Sequence, residues 1–176
     1  MRIIAGKYKG RTLDYKGSKD CRPTKDRIKE ALFSVLNDRC EGATCLDLFA
    51  GSGSLGLEAL SRGAEYVEFV DLDIDLVSKN IKRIKDELSV DVHKCEASRF
   101  IEKSKKKYDI IFLDPPWTKE DFFSSSLKAI FEFDILKKDG WIICEHPVRV
   151  DVKSCFIKKQ KKYKDTVLTF IYRGNE

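Results

Sequence analysis

From residue 44 onward the chain alternates short apolar runs with stretches whose apolar residues recur at helical spacing, and this alternation restricts the fold more than any other feature. Residues 44–49 read as a buried strand, 55–61 as a helix ending at Gly63, and 66–70 as the next strand. Ile74, Val77, Ile81, Ile84 and Leu88 then step by three, four, three and four residues, the mark of an amphipathic helix. A third strand at 89–94, a short helix at 98–103 and a fourth strand at 108–113, apolar on both faces, follow. A helix over 122–133, a fifth strand at 140–145 and two C-terminal strands at 155–159 and 167–172 complete the pattern. Apolar strands separated by helices imply a mostly parallel sheet covered on both faces, an α/β architecture whose ligands sit at the carboxyl ends of the strands.

Before this core lie about forty residues of different character. Residues 2–14 read as a short basic hairpin with Gly6 and Gly10 at its turns, and a helix is expected over 23–37, opened by Pro23. Residues 1–30 hold ten Lys or Arg against four acids, a net of +6 within a chain whose total is +5, so the remainder is close to neutral. A basic segment that also carries Tyr8 suits contact with phosphates. The runs at 103–107 and 158–164 are read as solvated loops. One domain over 1–176 is expected, with 1–38 as a basic, phosphate-contacting extension and 39–176 as the core. The longest apolar runs fall well short of the about 20 residues of a membrane span, and the first residues have no secretory character, so a cytoplasmic protein is expected. The six cysteines include no Cys-x-x-Cys pair and read as small buried hydrophobes; with only two histidines, no metal site is expected.

Two constellations carry chemistry. The first runs from Asp47 to Gly56, at the end of the first core strand, where Gly51, Gly53 and Gly56 fit G-x-G-x-x-G. Glycines there allow a sharp turn and close approach to a ligand, and Asp71, 20 positions after Gly51, suits a carboxylate that accepts from ribose hydroxyls. This pattern alone does not separate a nicotinamide dinucleotide from S-adenosylmethionine. Asp73 and Asp75 read as the cap of the following helix. After the third strand, Glu96 is placed to accept from an adenine amino group while the adjacent amide, at Ala97, donates to a ring nitrogen.

The second constellation is Asp114-Pro115-Pro116-Trp117, directly after the fourth strand. Two prolines stiffen the turn and remove two backbone donors, leaving acceptors. Such a site fits an exocyclic amino group, whose two N–H donors meet the Asp114 carboxylate and the Pro115 carbonyl, aiming the nitrogen lone pair at a methyl donor. Trp117 offers a flat face for a flipped base, worth about 1–3 kcal/mol.

Together with Met1 to Arg11, the Arg22-Pro23-Thr24 turn, Arg27, and Glu30 to Phe33, these residues resemble the 16S rRNA guanine-N2 methyltransferase family called RsmD. The resemblance spans most of the chain. It implies a seven-stranded Rossmann-like methyltransferase fold, S-adenosylmethionine as cofactor, and methyl transfer to N2 of one guanine in 16S rRNA, in the small ribosomal subunit or its assembly intermediate. On that basis the cofactor residues are Asp47, Phe49, Ala50, Gly51, Gly53, Asp71, Leu72, Glu96, Ala97 and Asp114. The amine is held by Asp114 to Trp117, and RNA by Arg2, Lys7, Tyr8, Lys9, Arg11, Arg22, Thr24 and Arg27. No membrane or metal partner is implied, and a monomer is expected. Trp117 stands where Tyr or Phe is usual, Asp71 where Glu is common and Glu96 where Asp is common. The competing readings are a DNA adenine-N6 or cytosine-N4 methyltransferase, which shares the Asp-Pro-Pro turn; a nicotinamide-dependent oxidoreductase, which rests on the glycines alone; and a catalytically silent RNA-binding protein.

Overall fold

A computed structural model gives the structure of the chain and describes residues 1–16, 22–116, 121–154 and 156–174, with the backbone alone at 22–25. The elements run α1 (Arg22–Leu36), β1 (Thr44–Leu48), α2 (Ser54–Ser61), β2 (Tyr66–Asp71), α3 (Asp75–Ile84), β3 (Val90–Lys94), α4 (Ala97–Lys103), β4 (Tyr108–Leu113), α5 (Asp121–Glu132), β5 (Leu136–Pro147), β6 (Ile157–Tyr163) and β7 (Thr166–Tyr172). They build one seven-stranded sheet in the order β3-β2-β1-β4-β5-β7-β6. Strands β1 to β5 are parallel, and β7 runs antiparallel between β5 and β6. This is the Rossmann-like methyltransferase architecture that the sequence predicts.

Apolar residues on both faces of the central strands have a simple cause: each face meets its own layer of helices. Cys45, Val67, Phe69, Ile110 and Phe112 pack with Leu32, Phe33, Leu57 and Val77 from α1, α2 and α3. Their neighbours along the same strands, Leu46, Leu48, Val70, Ile111 and Leu113, pack with Ile101, Phe123, Leu127 and Ile130 from α4 and α5.

Residues 1–16 are bound to this core rather than extended from it. Ile3 and Leu13 are fully buried in the α1–α3 layer, and a narrow hairpin with a single bridge between Arg2 and Thr12 holds them. Its anchor is Glu58 of α2, which no solvent reaches. One carboxylate oxygen accepts from the Ile4 amide at 2.7 Å and faces the Lys29 ammonium at 3.3 Å. The other accepts from the Ala5 amide at 3.0 Å and from Arg62 Nε at 2.9 Å. A buried carboxylate with four donors around it is fully compensated.

Three elements, α3, β5 and β6, depart clearly from their predicted bounds, and the cysteines depart in one case from their expected burial. Helix α3 stops at Ile84, because Lys85 takes a left-handed conformation (φ 53°); Leu88 continues the apolar pattern from a loop that still packs on the core. Strand β5 begins four residues earlier than its apolar run, at Leu136, where a register shift against β4 and the polar Lys137 to Asp139 hide it from the pattern. The lysine-rich 158–164 run, read as loop, is mostly strand: β6 covers Ile157–Tyr163 as a sheet edge, where only one neighbour demands apolar side chains. The buried-cysteine expectation holds for Cys40, Cys45 and Cys144 but not for Cys95, which is half-buried; Cys21 and Cys155 lie outside the described residues.

Candidate active site

The strand order reverses between β1 and β4: the chain leaves β1 for β2 and β3 on one side, then returns to β4 on the other. In an open α/β sheet the crevice at that point takes the ligand. The register pairs Leu48 with Leu113, so Phe49 and Asp114 leave the sheet side by side. Here a cavity of about 1000 Å³ opens, lined by Phe49, Gly51, Asp71, Leu72, Glu96, Ala97, Asp114, Pro115 and Pro116 among others. A smaller cavity of about 310 Å³ shares Phe49, Gly51, Asp71 and Asp114 with it and adds Asp47 and Ala50.

Nine of the ten residues assigned to a cofactor thus line one cleft. Gly53 does not. It turns the chain at φ 73°, and a Cβ there would meet Val77 Cγ2 at 2.6 Å, so this glycine serves the turn and its packing on α3. Gly56 packs against the Phe69 ring, where a Cβ would lie 2.3 Å from Cε1; it brings α2 close to the sheet and does not touch the cleft.

Carboxylates hold the glycine-rich turn in place. Asp71 Oδ2 accepts from the Gly51 amide at 2.8 Å, and its Oδ1 accepts from the Asp73 amide at 3.0 Å, which leaves each oxygen a lone pair toward the cleft. Asp73 in turn accepts from the Asp75 amide at 3.2 Å; neither acid is the expected cap, since the N-cap of α3 is Ile74 and Asp75 is its first residue. Asp47, 2% exposed, accepts from the Gly56 amide at 2.9 Å. Burial raises its carboxyl to about 7, against the opposing pull of that hydrogen bond. Beside these acids, Leu72 is 61% exposed, an apolar side chain at the cavity wall with little covering it.

Pro115 is buried and Pro116 exposed, both lining the cavity with Asp114. Trp117 lies outside the described residues. An aromatic pair does stand at the site: Phe122 of α5 stacks on Phe49 with ring centroids 5.7 Å apart. Phe49 itself has φ 62°, a strained conformation for an aromatic residue and one found at functional turns. Sequence reasoning missed Phe122, Glu145 at the end of β5, and Tyr163 to Thr166 at the β6–β7 turn, all lining the larger cavity. Glu145 was within reach of the rule that ligands sit at strand carboxyl ends; the turn was not, because the strand before it is expected to end at 159 and the lysine run that completes β6 reads as loop.

The N-terminal cations are placed differently from expectation. Tyr8, assigned to RNA, is 6% exposed; its hydroxyl donates to Asp86 at 2.7 Å and its ring carries Lys7 and Arg11 above it, so it offers no stacking face. Lys7 pairs with Asp86 at 2.7 Å, Arg11 donates to the Ile84 carbonyl at 2.6 Å, and Arg2 lies 3.5 Å from Asp26. Lys9 and Arg27 are exposed; the side chains of Arg22 and Thr24 lie outside the described residues. Among the described residues, the Glu68, Asp91 and His93 group has metal-ligand spacing. Lys106 already supplies its cation, 2.9 Å from Glu68 and 3.8 Å from Asp91.

Over residues 1–172 the chain matches the family model described as "Conserved hypothetical protein 95". It is 42% identical over 148 residues to the ribosomal RNA small subunit methyltransferase D of Haemophilus influenzae, covering 81% of this chain and 73% of that one. The enzyme of the same name from Escherichia coli K12 is 34% identical over 155 residues, 86% and 74% of the two chains. Among solved structures, the methyltransferase candidate yhhF of Escherichia coli superposes with a TM-score of 0.86 at 29% identity, over 100% of this chain and 99% of that one.

Proposed function

Because the chain belongs to the conserved hypothetical protein 95 family, the methyltransferase family of the ribosomal RNA small subunit methyltransferase D enzymes, we propose that it methylates the exocyclic N2 of one guanine in 16S rRNA. The observation that carries this reading is the side-by-side exit of the Gly51 and Asp114 turns into one cleft.

S-adenosylmethionine supplies the activated methyl group. The cleft fits it: about 1000 Å³ is at the upper end of small-ligand sites, and the donor set matches its parts. Asp71 accepts from ribose hydroxyls, Glu96 and the Ala97 amide meet the adenine edge, Leu72 covers its face, and Asp47 meets the amino-acid end. On the other side, the Asp114 carboxylate and Pro115 carbonyl accept the two hydrogens of the guanine amino group, and that pairing directs its lone pair into the cleft. Phe49 and Phe122 supply apolar walls that exclude water from the exchange. Arg2, Lys9 and Arg27 remain candidates for rRNA contact.

The test is methyl transfer from labelled cofactor to small ribosomal subunits, with the product located by nuclease mapping. Asp114→Ala is expected to lower the rate at saturating cofactor by at least ~100-fold. Undiminished transfer by that variant overturns the assignment of Asp114, and transfer to DNA in place of rRNA overturns the substrate.

A further inference from the structure

We propose that strand β6 and the β6–β7 turn form the phosphate track that leads rRNA to the cleft, an inference that rests on the RNA reading above. Between Phe156 and Thr166 the chain carries five lysines, at 158, 159, 161, 162 and 164, against the single acid Asp165. Lys164 pairs with Asp165 at 3.9 Å, and in the first thirty residues Lys7, Lys16 and Lys29 are each paired with an acid, at 2.7, 2.5 and 3.3 Å. Thr166 pairs with Pro147, which puts the β6–β7 turn at the carboxyl end of β5, and Tyr163 and Lys164 line the same cavity as Asp114.

Direction on the strand sharpens the placement. Lys159 and Lys161 stand opposite Phe170 and Leu168, which are packed under α1, so both lysines project on the α1 side of the sheet. Ile28 of α1 lines the cavity that Lys164 reaches, and Arg27 beside it is exposed. Edge lysines also guard a sheet against pairing with other chains. That role needs no nucleic acid and no closeness to the cleft.

Binding of small ribosomal subunits across a salt series separates the two roles, with Lys159→Gln and Lys161→Gln combined in one variant. Each lost phosphate contact lowers the slope of log K against log salt by roughly 0.7–0.9. The variant is expected to lose about 1.5 from that slope and about tenfold in affinity while retaining S-adenosylhomocysteine binding. An unchanged slope and affinity overturns the proposal and leaves the lysines as an edge guard. A reduced slope with no methyl transfer by the wild-type protein upholds the track and overturns the methylation reading instead.

A separate observation, the β4–β5 register, assigns Glu145 to the choice of base. Leu113 pairs with Cys144, so Asp114 and Glu145 are the next residues of adjacent parallel strands, about 4.8 Å apart and on one side of the sheet. Both line both cavities. Guanine differs from adenine and cytosine in presenting a ring N–H, at N1, beside its amino group; the others present a ring acceptor there. From the Glu145 position the structure assigns its carboxylate as acceptor for N1–H, next to the amino group on Asp114.

Reconstituted subunits with 2-aminopurine at the methylated position keep the amino group and replace N1–H by an acceptor. The wild-type protein is expected to prefer guanine by at least 100-fold in kcat/KM, and Glu145→Gln, whose amide donates to that acceptor, to narrow the ratio at least tenfold. The fluorescence of 2-aminopurine reports seating of the base without turnover and is expected to shift in the same direction. An identical guanine to 2-aminopurine ratio in both proteins overturns the assignment. Absence of guanine methylation by the wild type overturns the parent reading, while the fluorescence comparison still decides the fate of Glu145.

Discussion

Asp47 shows how one residue couples the fold to the cleft. Its carboxyl, raised to about 7 by burial, holds a proton in the native state over the range from its ordinary value of 3.8 up to about 7. Its folded value exceeds its unfolded one, so its contribution to stability is complete below 3.8 and is lost as pH rises through 7. The Asp47→Asn variant keeps an acceptor for the Gly56 amide and is expected to flatten the dependence of thermal midpoint on pH between about 4 and 7. With Asp47 at the amino-acid end of the cofactor, as proposed above, the ammonium there would favour the ionised carboxylate, and cofactor binding is expected to reverse the preference. Calorimetry at pH 6 in two buffers of different ionisation heat is expected to show release of nearly one proton and an affinity about tenfold below that at pH 8. Equal affinity at both values, or release undiminished in Asp47→Asn, would place the titrating group elsewhere.

At the scale of elements, legibility followed the number of neighbours. Strands β1 and β4, enclosed on both faces, were readable from composition alone, whereas β6 has one strand neighbour and an exposed flank that tolerates lysine. The Asp-Pro-Pro turn was readable because its chemistry is local; Glu145 and the β6–β7 turn reach the site only through strand order, which no local spacing encodes. Residues 1–16 were misjudged for a related reason. Their anchor, Glu58, lies more than fifty positions away, and a buried acid inside an otherwise ordinary helix gives no signal. Lys29 is 3% exposed, and burial lowers its ammonium against the pull of Glu58. Glu58→Ala therefore strands a buried cation and two amides, at a cost of about 3–5 kcal/mol in urea denaturation. The loss is expected to shrink as pH rises toward 10, because Lys29 then sheds the proton that it cannot shield; a loss under 1 kcal/mol would mean that the hairpin is held by its apolar residues alone.

Over the whole molecule, charge and core give opposite accounts of the first forty residues. By charge they are an appendage for RNA; by packing they belong to the layer that covers one face of the sheet, since Ile3, Leu13, Ile28, Leu32 and Phe33 share a cluster with Val67, Phe112 and Phe170. Among the described residues much of the basic excess there meets acids, as Lys7, Lys16 and Lys29 do. We infer that residues 1–176 fold as one cooperative unit, and truncation distinguishes this from an extension on an independent core. Burial of Ile3, Tyr8 and Leu13 at about 1.5–3 kcal/mol each makes removal of residues 1–16 worth roughly 5 kcal/mol or more. At about 2–4 °C per kcal/mol for a chain of this size, the thermal midpoint falls by at least ~10 °C, and cofactor affinity falls with it because Asp14 no longer anchors Asn80, which donates to Ser52 in the glycine-rich turn at 2.8 Å. A truncated chain that kept its midpoint and its cofactor affinity, losing only RNA binding, would restore the appendage. Intact protein is expected to unfold in a single transition, with tryptophan fluorescence and far-ultraviolet circular dichroism coincident, since the α1–α3 layer of the sheet is not closed until the N-terminal hairpin lies on α2.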